Sequence, residues 1–154
     1  MILGEDGRPL RALSAHVGAV SLLRETEGFS PDRVRAAAMA HIRPVWERLG
    51  AEAGLPVIAS GGAASCVAAV GLGTREGIEG FRLGLSEAEA LFARLSAMPL
   101  EERRALPGME PQRADILPCG LAILLAFLEC AGAEEMCISD RGNLYGFVAM
   151  MASM

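Results

Sequence analysis

Three short segments of this chain set anion-binding residue types beside backbone turns. In the first, Ser60-Gly61-Gly62-Ala63 follows Val57-Ile58-Ala59 and precedes a run of small residues. A strand that ends in two glycines and turns into a helix leaves backbone N–H groups bare. The helix N-terminus then adds a partial positive charge suited to phosphate. A tight strand-to-helix turn with no ligand accounts for the glycine pair equally well. In the second segment, Ser139-Asp140-Arg141-Gly142 follows Glu135–Ile138. Arg141 could clamp a phosphate bidentately, and Asp140 suits a helix cap better than a metal ligand. In the third, Pro107-Gly108-Met109-Glu110-Pro111 delivers Arg113 and Asp115 to the start of a long apolar stretch. Asp115 there favours the helix dipole, whereas Arg113 opposes it and needs a partner. Glu110, Asp115 and a bound phosphate are all open as that partner.

Other chemistry is poorly served. All 14 basic residues are arginine, with no lysine, which removes Schiff-base chemistry, lysine bases and a phosphate-loop lysine. The net charge of −5 argues against a nucleic-acid-binding surface. Cys66, Cys119, Cys130 and Cys137 form no CxxC pair and read as reduced thiols, so the expected compartment is the cytoplasm. His16 and His41 lie in unrelated segments, so no metal ligand set is expected. Cys66 falls in the first turn of a helix, where a buried structural thiol is expected rather than a nucleophile. Arg103-Arg104 beside Glu101-Glu102 reads as a solvated helix face, and Trp46 as core. The apolar run Ile116–Leu128 falls well short of the roughly 20 residues that span a bilayer, so no membrane partner is expected.

The elements that would position these segments are legible from 154 residues that are 52% apolar and 21% charged, enough for one domain over residues 1–154. Met1–Pro9 is turn-rich, and Leu10–Val17 alternates as a strand would. Ala19–Thr26 could continue that strand or form a short helix. Ser30, Pro31 and Asp32 open a helix whose Val34, Ala38, Ile42, Val45 and Leu49 share one face. Gly50 should end it, and Pro44 should kink or divide it. Pro56–Ser60 reads as a strand, Ala63–Val70 as a helix closed by Gly71 and Gly73, and Gly73–Phe81 as a loop. Ser86 with Glu89 reads as a capping box for a helix stopped by Pro99. A short helix over Pro99–Leu106 follows, then the longest helix, Pro111–Ala131, weakened by Pro118 and Gly120. Glu135–Ser139 reads as a strand and Asn143–Met151 as a terminal helix. The class is α/β, a small sheet flanked by helices. If the strands ending at Ser60 and Ser139 are parallel neighbours, their loops face one crevice.

In this order the segments resemble the exopolyphosphatase / guanosine pentaphosphate phosphohydrolase (Ppx/GppA) family. Leu13–Glu25, Ser60–Ser65 and Ile138–Gly142 are each similar to a family segment. The most specific stretch is Met98-Pro-Leu-Glu-Glu-Arg-Arg-Ala-Leu-Pro-Gly-Met-Glu-Pro-Gln-Arg-Ala-Asp-Ile116. The resemblance covers roughly residues 10–146.

It implies the second, carboxyl-terminal lobe of an actin-like (ribonuclease H-like) ATPase fold. The first lobe, with a phosphate loop and the catalytic glutamate, and the second lobe's opening strand and phosphate loop find no counterpart in this sequence. The implied chemistry is Mg²⁺-assisted phosphoanhydride hydrolysis of inorganic polyphosphate or guanosine pentaphosphate, with guanosine tetraphosphate as a further ligand. The chain on its own would bind no metal and be inactive. The implied ligand contacts are Gly61, Gly62, Ala63 and Arg113, with Asp115 and Arg141. Departures from the family pattern include Ala63 in place of a threonine, and Thr74–Gly80 without its tyrosine and histidine. Ala63 and Asn143, which opens Asn143-Leu-Tyr-Gly146 where the family pattern has Leu-Arg-Glu-Gly, motivate an alternative, a non-catalytic binding or assembly module that retains the fold. Expected partners are the missing amino-terminal lobe or, through the face it would cover, a second copy in a homo-oligomer.

Overall fold

The computed structural model describes residues 1–142 and residue 151. The expected terminal helix, apart from Met151, lies outside the described residues.

The chain opens with an antiparallel hairpin, β1 (Ile2–Glu5) and β2 (Arg8–Ala12), turned by Asp6 and Gly7 at positive φ. This corrects the strand expected over Leu10–Val17. The tight Asp6-Gly7 turn returns the chain early, and β2 is exposed throughout, so apolar alternation was no guide to its limits. The open choice at Ala19 resolves as helix α1 (Ala19–Glu25), whose entry is fixed by the Gly18 N–H donating to Ser21 Oγ at 2.8 Å. Helix α2 (Pro31–Leu49) follows Ser30 and ends at Gly50 in the left-handed region, with the five expected apolar residues buried. Pro44 does not divide it.

Strand β3 (Val57–Ser60) leads into helix α3 (Gly62–Leu72), which closes at left-handed Gly73. Strand β4 (Phe81–Gly84) begins where a loop was expected to end, because its four residues pair with a strand far away in sequence. Helix α4 (Leu85–Ala97) starts one step before the expected capping box. Glu87, not Glu89, reaches back, its Oε2 accepting the Gly84 N–H at 3.0 Å. Helix α5 (Leu100–Arg104) precedes a 3-10 turn, Pro111–Arg113, and helix α6 (Leu117–Ala131), ended by left-handed Gly132. The helix expected over Pro111–Ala131 is therefore two pieces, and α2, not α6, is the longest. Pro118 falls in the first turn of α6, where a missing N–H costs nothing, so it starts the helix rather than kinking it.

Strand β5 (Glu135–Ser139) is central in a mixed sheet of order β3-β5-β4. It runs parallel to β3, with Ser60 opposite Ser139, and antiparallel to β4. Met136, Ile138 and Leu83 turn inward and are buried. Ile58 turns the other way and is 72% exposed. Helix α6 is apolar around its circumference except at Glu129, which pairs with Arg35, because helices α1, α2, α3 and α4 all pack on it. Leu117, Leu121, Leu125 and Leu128 form its buried line, and Trp46 of α2 meets Phe127 edge to face at 5.5 Å. A groove of about 760 Å³ separates the hairpin from the β3 edge, lined by Met1, Ala12–Ala15, Ile58, Ser60 and Phe127 among others. No described helix is long and apolar enough to cross a membrane.

Candidate anion-binding site

The parallel pairing of β3 with β5 brings the loops after Ser60 and Ser139 to the same end of the sheet. Gly61 leaves β3 at φ +102, a conformation that glycine adopts without strain, and α3 begins at the next residue. The N–H groups of its first turn have no earlier helical carbonyl to bond.

Arg113 lies against this turn. A Cβ placed on Gly62 would stand 2.6 Å from Cζ of Arg113 and 2.7 Å from Nη2, so the glycine is what admits the guanidinium. The contact is the top of a seam along one face of α3. One turn further on, the thiol of Cys66 lies 3.9 Å from the sulfur of Met109. At Ala69 the backbone meets Gly108 so closely that no side chain fits there, a Cβ on Gly108 falling 3.0 Å from the Val70 nitrogen. Residues 62, 66 and 69 repeat at helical spacing, and the 108–113 segment runs back along them.

Glu110 accounts for one side of Arg113. Its Oε2 accepts from Arg113 Nε at 2.6 Å and its Oε1 from Arg75 Nη2 at 2.8 Å. Among the described residues, Nη1 and Nη2 of Arg113 carry no hydrogen bond. The dipole conflict expected at the start of α6 is absent, since Arg113 sits in the 3-10 turn. It is instead the positive end of α3 that the guanidinium abuts. Two positive ends meeting cost stability unless an anion lies between or beside them, and Glu110 supplies only part of that.

The remaining expected residues divide. Ala63 turns its methyl to α6, where a Cβ on Gly120 would stand 2.8 Å from Ala63 Cβ, so only its backbone belongs to the turn. Asp115 is exposed just before α6 and makes no hydrogen bond to the Gly61-Gly62 turn among the described residues. Arg141 is at the right end of the sheet, its Nε 3.4 Å from Glu79 Oε1. Glu79 also accepts from Ser139 Oγ and the Asp140 N–H, both at 2.9 Å. Its hydrogen bond with the Asp140 carboxyl, first among several causes, holds Glu79 below the usual glutamate range and raises Asp140. Asp140 thus faces Glu79, and its expected capping of the last helix concerns residues outside those described.

Burial pushes the Cys66 thiol up, as expected of a structural cysteine, and Met109 covers it. Arg103 contradicts expectation. Only Arg104 lies on a solvated face, paired with Glu101, whereas Arg103 is 9% exposed. Sequence reasoning also missed Arg75, Glu79 and Gly108 as parts of the site. The Pro107-Gly108 pair signalled a turn, but nothing in the sequence said that α3 would lie under it. Among the described residues no three His, Cys, Asp or Glu converge to hold a metal ion.

A model of the Ppx/GppA phosphatase family matches residues 1–153. The chain belongs to the Ppx/GppA phosphatase family. Solved structures agree on the fold. The Aquifex aeolicus Ppx/GppA family member matches with a TM-score of 0.82 at 18% identity, over 99% of this chain and 52% of that one. An exopolyphosphatase from Cytophaga hutchinsonii matches at 0.81 and 20% identity, over 99% and 53%. An exopolyphosphatase-like protein matches at 0.81 and 22%, over 99% and 55%. No curated protein sequence matched significantly. The Ppx/GppA chain is thus an actin-like α/β fold that spans about half the length of these solved relatives.

Proposed function

We propose that this Ppx/GppA chain is a carboxyl-terminal lobe that supplies one wall of a phosphoanhydride-hydrolysing cleft, taking inorganic polyphosphate or guanosine pentaphosphate. The observation that carries the reading is the guanidinium of Arg113 set on Gly62, at the positive end of α3. Bare N–H groups and a planar bidentate cation, both fixed by the fold, suit the oxygens of a phosphate chain. Phosphoryl transfer asks a protein mainly for such positioning and charge stabilisation. In this reading the Gly61-Gly62 turn and Arg113 bind and orient the chain of phosphates. Arg141, on the neighbouring loop, is the candidate for a second contact.

The family resemblance implies Mg²⁺, an ion ordinarily held by one or two carboxylates together with the phosphates of its substrate, and among the described residues no three His, Cys, Asp or Glu converge to hold it without them. The catalytic glutamate and phosphate loops that the family resemblance implies find no match in this sequence. The proposal is therefore binding without turnover by this chain, in the cytoplasm, completed by an amino-terminal lobe. Calorimetric titration with sodium tripolyphosphate should give saturable binding that Arg113→Ala weakens about tenfold or more. A phosphate-release assay on polyphosphate with Mg²⁺ should give none, and robust turnover would overturn the incompleteness of the chain.

A second reading, an assembly module without catalysis, is favoured by the groove beside β3. It is largely apolar, reaches Ser60 beside the Gly61-Gly62 turn, and carries exposed Ile58 and Ile2. Its proposed partner is a second copy of the chain. Sedimentation at rising concentration should then show a dimer that Ile58→Asp abolishes, and a clean monomer at high concentration would count against it.

A further inference from the structure

Arg103 is the buried charge that the site does not yet explain. It belongs to α5, yet only 9% of it is exposed. Its Nη1 donates to the carbonyl of Ala114 at 3.1 Å, and its Cζ lies 5.7 Å from the centroid of the Phe29 ring. Its Nε is buried with no hydrogen-bond partner. Burying a guanidinium behind a single hydrogen bond is costly, and an apolar side chain of similar size would fill the same space at lower cost. Desolvation pulls its pKa down, the nearby Asp115 carboxylate offsets this only in part, and the arginine stays protonated. What the guanidinium grips is informative. Ala114 is the residue after Arg113, itself buried, and its peptide closes the 3-10 turn. Arg113 N–H donates to the Glu110 carbonyl at 2.8 Å, and Ile116 N–H to the Arg113 carbonyl at 3.1 Å. The turn that carries Arg113 is thus held at its far end by Arg103, and at its near end by the seam of Gly108 and Met109 on α3.

We propose that Arg103 is a positioning residue, a clamp on the Ala114 carbonyl that fixes the 3-10 turn and so sets the guanidinium of Arg113 over Gly62. The proposal rests on the anion-site reading for its functional consequence, but the clamp itself has a ligand-free readout. Amide hydrogen exchange in Arg103→Leu should quicken about tenfold or more at Arg113 and Ile116, with the β5 amides unchanged. Arg103→Lys, which keeps a charge and one donor, should fall between Leu and the parent. If Arg103→Leu does not fold, Arg103→Lys decides, with faster exchange expected at the same two amides. Unchanged exchange at both amides in a folded variant would overturn the clamp.

Binding supplies the second arm. Arg103→Leu should weaken tripolyphosphate about tenfold, and adding Arg113→Ala should cost little more, because both changes remove the same placed cation. Losses that add in the double variant would overturn the positioning role, since a general loosening of the fold would act independently of Arg113. If the parent chain binds no tripolyphosphate, the anion reading fails and the exchange arm still decides the clamp.

Discussion

The guanidinium of Arg113 occupies the space in which residue 62 would carry a side chain, with Cζ 2.6 Å from the position of a Cβ on Gly62. The seam below, through Cys66 and Met109 and through Ala69 and Gly108, fixes the height at which the arginine reaches α3. Glu110 then fixes its rotation through Nε.

Gly62→Ala should separate binding from stability. Gly62 is not in the left-handed region, and the added methyl meets the far end of a flexible side chain. Alanine also gains up to about 1 kcal/mol of helix propensity over glycine, which offsets the displacement. Chemical denaturation should change by no more than about 1 kcal/mol. Tripolyphosphate affinity should nevertheless fall several-fold, because Arg113 is pushed aside. Full affinity in Gly62→Ala would mean that the guanidinium need not sit there.

Gly108→Ala should do the reverse. Here φ is +79, and the new methyl meets the backbone of Ala69 and Val70, which cannot yield as a side chain does. A loss of about 2–4 kcal/mol is expected from urea unfolding, combining left-handed strain with overpacking. A loss below about 0.5 kcal/mol would show that the seam is looser than described.

Thiol chemistry should follow burial. Burial pushes Cys119 up to about 11 and raises Cys66 and Cys130, the least buried of the three. Cys130 and Cys137 are only partly buried. Iodoacetamide at pH 8, followed by peptide mass spectrometry, should label Cys137 and Cys130 first and spare Cys66 and Cys119 until denaturant is added. Early labelling of Cys66 would contradict its placement under Met109.

One surface pair sets a pH dependence. Arg82 Nε donates to Glu135 Oε1 at 2.9 Å, joining β4 to β5, and this hydrogen bond is the main cause holding the Glu135 carboxyl below its ordinary value of 4.5. A carboxyl lowered in the folded state stabilises above its unfolded pKa and loses that contribution as pH falls through the folded value. The pair should therefore be fully effective at neutral pH and fade only below the ordinary glutamate range. A carbon-13 titration of Glu135 should move upward in Arg82→Ala. An unmoved titration would remove the hydrogen bond as its cause.

Local signals in the sequence were strong where one element carried them. Ser30-Pro31 and Gly50 bounded α2, and Val57–Ser60 with its glycines marked the turn into α3. Features that depend on distant packing were not legible. Phe81–Gly84 is a strand because β5 offers it an edge, and nothing in four residues announces that. Arg103 looked like its exposed neighbour Arg104, since helical spacing in five residues cannot tell which side Phe29 and Ala114 will cover. At the site, the residue types Gly61, Gly62 and Arg113 were legible, but their contact was not. It arises because Gly108, Met109 and Gly120 draw the loop and α6 onto α3.

The central claim is that the Gly61-Gly62 turn and Arg113 hold phosphate together. Titration of the nitrogen-15-labelled chain with sodium tripolyphosphate, followed by amide chemical shifts, tests it most directly. Saturable shifts are expected at Gly61, Gly62 and Ala63 and at the Arg113 amide, and in Arg113→Ala the glycine-turn shifts should need about tenfold more ligand to reach their midpoint. Shifts absent from these residues, or a midpoint unchanged in Arg113→Ala, would contradict it.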